Sequence, residues 1–180
     1  MKRIGRAIAL AAVLVLAVPA HAKLAKVGKS TVVFAAKGTG GMTIVGTTPE
    51  LMIRDDGKTL RVTVPLANLT TGIALRDRHM REKYLHVGQY PVAELSVERA
   101  QLKPPASGSV SGDASGLMKI HGKSKKLTFH YSGKKNGSAI QVTATARLDL
   151  RDYGIEVPSF LGVTVKPEID LTVTFDAKDS

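Results

Sequence analysis

Ile140-Gln141-Val142-Thr143-Ala144-Thr145-Ala146-Arg147-Leu148-Asp149-Leu150-Arg151 alternates apolar and polar residues without a break. Successive side chains of an extended chain leave opposite faces, so this period of two describes a strand with one dry and one wet face. Just upstream, Lys135-Asn136-Gly137 separates it from Leu127, Phe129 and Tyr131, which alternate with Lys126, Thr128, His130 and Ser132. Asn-Gly between two alternating runs predicts a hairpin with a type I′ turn. The same period recurs in Ile169, Leu171, Val173 and Phe175 and in Leu60-Arg61-Val62-Thr63-Val64-Pro65-Leu66, the latter preceded by Asp55-Asp56-Gly57. Weaker strand segments are 31–36, 42–45, 50–54, 92–101 and 117–121, which makes eight or nine strands. Residues 104–116, rich in Pro, Ser and Gly, read as a long surface loop with at most a short extended piece.

One segment departs from this period. Ile73, Met80, Tyr84 and Val87 are spaced by seven, four and three, while Arg76, Asp77, Arg78, Arg81, Glu82 and Lys83 fill the other side. That pattern predicts one short amphipathic helix over 74–85. Antiparallel strands with a single apolar face close either as a barrel or as a sandwich, and alternation does not choose between them.

At 180 residues the chain has the length of one domain. It has no cysteine, which excludes thiolate catalysis, CxxC redox chemistry and cysteine zinc sites. Hydrophobic residues make 43%, too many for a disordered basic tail. Only 4% are aromatic, with four Tyr, four Phe and no Trp, which is too few for the two aromatic girdles of an outer-membrane barrel.

Met1-Lys2-Arg3-Ile4-Gly5-Arg6 followed by the apolar run 7–18 and Pro19-Ala20-His21-Ala22 has the three parts of a secretory signal peptide. Residues 1–22 are therefore expected to be removed after Ala22. Residues 23–180 would then form a single exported domain, in the periplasm or outside the cell. Losing Lys2, Arg3 and Arg6 lowers the net charge of +11 by three. An exported basic protein meets anionic lipid and acidic polymers, not nucleic acid, and the basic stretches lack interleaved stacking rings.

No residue set points to catalysis, a metal or a cofactor. His79-x-x-Glu82 offers two ligands where a closed site needs more. Ser132-x-x-Lys135 lies in the hairpin, where no helix points the lysine at the serine. The in-facing Phe34, Leu95, Phe129, Tyr131, Leu148 and Phe175 line a ligand cavity if the barrel is hollow and fill the core if it is not. On the helix, Arg76, His79 and Arg81 could hold an anionic head group, or form a solvated face.

Several pieces, in order, resemble the YceI-like family of exported lipid-binding proteins. They are Ser30-x-Val32-x-Phe34; Arg76-Asp77-x-His79-Met80-Arg81-x-Lys83-Tyr84-Leu85 leading to Tyr90-Pro91-x-Ala93; Gly116-x-Met118-x-Ile120-His121-Gly122-x-Ser124-Lys125-Lys126; Arg151-Asp152-Tyr153-Gly154-Ile155; and the strand through Ile169, Leu171 and Val173. The resemblance spans about residues 26–178. It implies an all-β fold, an eight-stranded antiparallel lipocalin-like barrel with one short amphipathic helix, holding an isoprenoid or fatty acyl chain without catalysis. The alternative is an envelope adaptor or stress protein with a filled barrel that binds an anionic surface or a protein partner. The expected partners are an apolar lipid chain, an anionic membrane surface and, as an open alternative to a monomer, a second copy in a homodimer.

Overall fold

The computed structural model describes residues 23–160 and 163–179; residues 1–22, expected from the sequence to be a signal peptide, lie outside them. Among the described residues ten strands form: β1 (Leu24–Gly38), β2 (Thr43–Thr48), β3 (Met52–Asp55), β4 (Thr59–Pro65), β5 (Val92–Glu98), β6 (Ser109–Ile120), β7 (Lys123–Asn136), β8 (Ala139–Asp149), β9 (Ser159–Phe160) and β10 (Val163–Asp179). Nine of them make one antiparallel sheet in the order β2-β1-β10-β8-β7-β6-β5-β4-β3, and β9 pairs only with β10. The sheet curls into a barrel with its apolar face inward. On β8, Ile140 and Leu148 are buried while Gln141, Thr145 and Arg147 are exposed.

The sheet has nine strands where eight were expected, and β2 and β3, consecutive in sequence, are its two edges and do not pair with each other. The barrel is joined across this seam by side chains and loops. The Leu24 amide donates to Asp55 Oδ2 at 2.9 Å, and Ser30 Oγ donates to the Pro49 carbonyl at 2.7 Å. Leu51, in the connection between the edges, packs with Val32, Phe175 and Ala177 and seals the gap with apolar contact. Asp55 also meets Arg99 Nε at 2.9 Å, both side chains being buried.

Two local expectations are revised. Strand β6 already begins at Ser109, inside the expected loop 104–116, and runs on through the expected strand segment at 117–120. Its pattern is faint because Gly112 and Gly116 leave room for neighbours: a Cβ on Gly116 would lie 2.6 Å from the Ser96 carbonyl oxygen and 2.8 Å from Leu95 Cδ1. The Asn-Gly hairpin forms, but Asn136 pairs with Ala139, so the loop is Gly137-Ser138. Only Gly137 has positive φ, which is the type II′ pattern and not I′.

The helix begins at Ala74, runs as α-helix to His79, and continues with wider π winding through Met80–Tyr84. Leu85 N–H reaches back five residues to the Met80 carbonyl at 2.9 Å. Met80, Tyr84, Leu85 and Val87 pack on the main core cluster, whereas Ile73, assigned to the same face by spacing, is 52% exposed. Asp77, assigned to the solvent face, is buried.

Candidate functional site

Small residues leave the barrel hollow. Ala36, Ala93, Ala144 and Ala146 point inward at the level where Leu or Phe would fill the space, and a cavity of about 560 Å3 opens there. Every strand of the main sheet except β3 contributes to its wall. That volume falls within the roughly 300–1,000 Å3 of small-molecule sites. Its Phe and Tyr rings are Phe34, Phe129 and Tyr84, and the rest of the wall is almost wholly aliphatic. Phe34 is held in place by the β1–β2 pairing, which sets it against Gly46; a Cβ there would come within 2.2 Å of the ring.

Four of the six apolar residues singled out from the sequence, Phe34, Leu95, Phe129 and Leu148, lie in this wall. Tyr131 and Phe175 do not. Tyr131 packs with Val97, Ala114 and Phe129, and its hydroxyl accepts the Lys103 amide at 3.0 Å. Phe175 belongs to the seam cluster. Val173 lines the cavity and Phe175 does not, just as Phe129 does and Tyr131 does not, so these two rings form the floor. Alternation placed them on the inner face correctly but carries no information about how far down the barrel the space extends.

The helix lies across the cavity and supplies Arg76 and His79, while the other polar residues of the lining are Thr71, Thr145 and Ser159. Arg76 and His79 line the opening. Arg81 does not; it borders a separate shallow depression with Glu82 and His86, and its Nη1 donates to the Leu69 carbonyl at 3.2 Å. Arg76 is positioned by Thr71, whose Oγ1 accepts from Arg76 Nε at 2.7 Å and whose carbonyl accepts from Nη2 at 3.0 Å. Thr71 is held in turn by Asp77, which accepts its amide at 2.7 Å and its hydroxyl, while Thr70 Oγ1 donates to the other carboxylate oxygen at 2.6 Å. Burial opposes ionisation of Asp77, but these hydrogen bonds and the nearby Arg81 charge outweigh it and hold the carboxyl below its usual range.

The histidines do not gather at the cavity. His121, in the β6–β7 turn, meets His86 with 3.2 Å between Nε2 and Nδ1, and its own Nδ1 lies 3.3 Å from the Tyr153 carbonyl. Among the described residues no group of three or more His, Asp or Glu could hold a metal ion. Sequence reasoning missed Thr71, for which no signal existed, and the four inward alanines. Those had one: alanine is depleted in strands, so its recurrence at inward positions marks space.

The model of the YceI-like domain family matches residues 18–177. The chain belongs to the YceI-like family. Solved structures share this YceI-like fold at low identity. A polyisoprenoid binding domain from Saccharophagus degradans, implicated in plant cell wall breakdown, superposes with a TM-score of 0.73 at 14% identity, covering 89% of this chain and 100% of that one. BcnA of Burkholderia cenocepacia gives 0.67 at 16% identity over 83% and 96% of the two chains. A Campylobacter jejuni YceI protein gives 0.56 at 14% identity over 99% and 94%. No curated protein sequence matches the chain.

Proposed function

We propose that this YceI-like protein is an exported, non-enzymatic carrier that holds an isoprenoid or fatty acyl chain inside its barrel. The observation that supports this reading is the cavity of about 560 Å3 with largely aliphatic walls and with Arg76 and His79 on the helix that lies across it. Such a space dissolves an apolar chain, because each buried methylene contributes about 0.8 kcal/mol and no buried polar group must be left unpaired along the wall. The helix side of the cavity suits the head of an amphiphile. Arg76, held by Thr71, presents a guanidinium beside the opening, and His79 stands next to it. A carboxylate or phosphate there would accept charge-assisted hydrogen bonds. The secretory pattern of residues 1–22 supports work in the periplasm or outside the cell, where an apolar chain needs a shield from water.

Organic extraction of the purified protein followed by mass spectrometry tests the reading, together with displacement of a fluorescent fatty acid. Recovery of a chain lipid, or displaceable probe binding, supports it; neither, in repeated preparations, refutes it. The filled-barrel adaptor is disfavoured by the same empty volume.

A further inference from the structure

The exposed large hydrophobic side chains among the described residues are Met42, Val45, Met52, Ile73, Leu75, Val92 and Leu117. Three of them, Met42, Ile73 and Leu75, also line the cavity, so they stand at its opening with one side in water: their exposures are 45%, 52% and 45%. They come from two separate segments, one the turn before β2 and the other the start of the helix. Met42 follows the turn Thr39–Gly41, where Gly40 and Gly41 have open space around them, and Ile73 and Leu75 flank the first residue of the helix. Nothing in the core requires these positions to be apolar. Ile73 in particular departs from the buried helix face to project outward.

Positive charge surrounds this rim. Lys37, paired with Thr43 beside Met42, is exposed, and the carboxylate acting on it, Asp170, is itself paired with Arg147; Arg78 on the first turns of the helix is exposed too, and Arg76 lies in the opening itself. The one carboxylate of the helix start, Asp77, is buried and turned onto Thr70 and Thr71, away from solvent. The remaining rim segment, 155–159, brings a single exposed carboxylate, Glu156. Apolar tips ringed by cations fit the boundary of an anionic bilayer, where the side chains enter the acyl region and the cations meet the head groups.

We propose that the cavity rim is a membrane-docking surface, and that its partner is a bilayer of anionic phospholipid into which Met42, Ile73 and Leu75 insert. Docked this way, the opening faces the acyl layer, and a chain passes between membrane and barrel without crossing water. The proposal rests on the lipid-carrier reading for its purpose, but the contact itself does not depend on a cargo.

The chain contains no tryptophan, so one introduced residue is a unique reporter. Leu75→Trp and, as a control on the outer face of β6, Leu117→Trp are titrated with vesicles of phosphatidylcholine alone or with 30% phosphatidylglycerol at about 0.1 M salt. The expected result is a blue shift of the Leu75→Trp emission with anionic vesicles, quenching by brominated acyl chains, and neither effect for Leu117→Trp. Lys37→Glu combined with Arg78→Glu should weaken the vesicle affinity of Leu75→Trp at least tenfold while leaving displacement of a soluble fluorescent fatty acid unchanged. No shift with anionic vesicles, an equal shift at position 117, or equal response to neutral vesicles overturns the proposal. Loss of probe binding in the absence of vesicles, with docking intact, would instead count against the carrier reading alone.

Discussion

Asp77 Oδ1 accepts the backbone N–H of Thr71 at 2.7 Å, from a position six residues further along the chain. The same Thr71 receives Arg76 Nε on its hydroxyl, so a buried carboxylate fixes the loop that fixes the guanidinium at the cavity opening. This relay joins the stability of the helix to the chemistry of the mouth.

Asp77→Asn should therefore lower stability by about 2 kcal/mol, since hydrogen bonds to a charged group are worth roughly 1.5–3 kcal/mol and only part of each survives the amide. For a domain of this size that is a fall in Tm of about 4–8 °C. The pH dependence has a definite sign. The folded pKa of Asp77 is depressed, so its contribution is present above the unfolded value of about 3.9 and is lost as pH falls through the folded value. Thermal melts of both proteins from pH 7 to pH 2.5 should show the gap between them narrowing only below about pH 4.

Gly46→Ala should move Phe34. The added methyl group would sit 2.2 and 2.4 Å from two ring carbons, so the ring must swing toward the cavity it lines. Overpacking of this kind costs about 1–3 kcal/mol. A melt and a probe titration on the same sample should show both lower stability and weaker binding. A variant as stable as the wild type would mean that the ring is free to move.

Much of this architecture was legible before any coordinates. Alternation located the strands around Leu60, Leu127, Ile140 and Ile169 because each has one wet and one dry face, and the helix, expected over 74–85 and observed over 74–84, followed from its different period. Only the end of strand β6, from Leu117, was legible; its first part is faint because it carries Gly112 and Gly116, and at Gly116 the neighbours fill the space a side chain would occupy. Ile73 and Asp77 were exchanged between faces for a related reason. Spacing assigns a residue to a side of the helix but not to what covers that side, and Thr70 and Thr71 fold back over Asp77. The cavity floor at Tyr131 and Phe175 depends on how far opposite walls lie apart, a quantity set by nine strands together.

Binding should strengthen with chain length and resist salt. At about 0.8 kcal/mol per buried methylene, two more carbons should tighten a saturated fatty acid roughly tenfold or more until the space is full. Beyond that length the gain should stop. Displacement titrations at 0.1 M and 1 M salt should give affinities that agree closely, because screening acts on exposed charges and not on apolar burial. A strong loss of affinity at high salt would place the ligand on the basic surface instead.

Ala146→Phe is the most direct test of whether the barrel interior is the binding site. Ala146 lies in the cavity wall on β8, opposite Phe129 on β7 and Leu171 on β10, and a ring there would occupy the space assigned to the chain. The measurement is the affinity for a fluorescent fatty acid, taken with the melting temperature of the same preparation. An occupied-cavity account predicts at least a tenfold loss of affinity with a Tm equal to or above that of the wild type, because the ring fills a void and strains nothing. Unchanged affinity in a folded Ala146→Phe protein would contradict it.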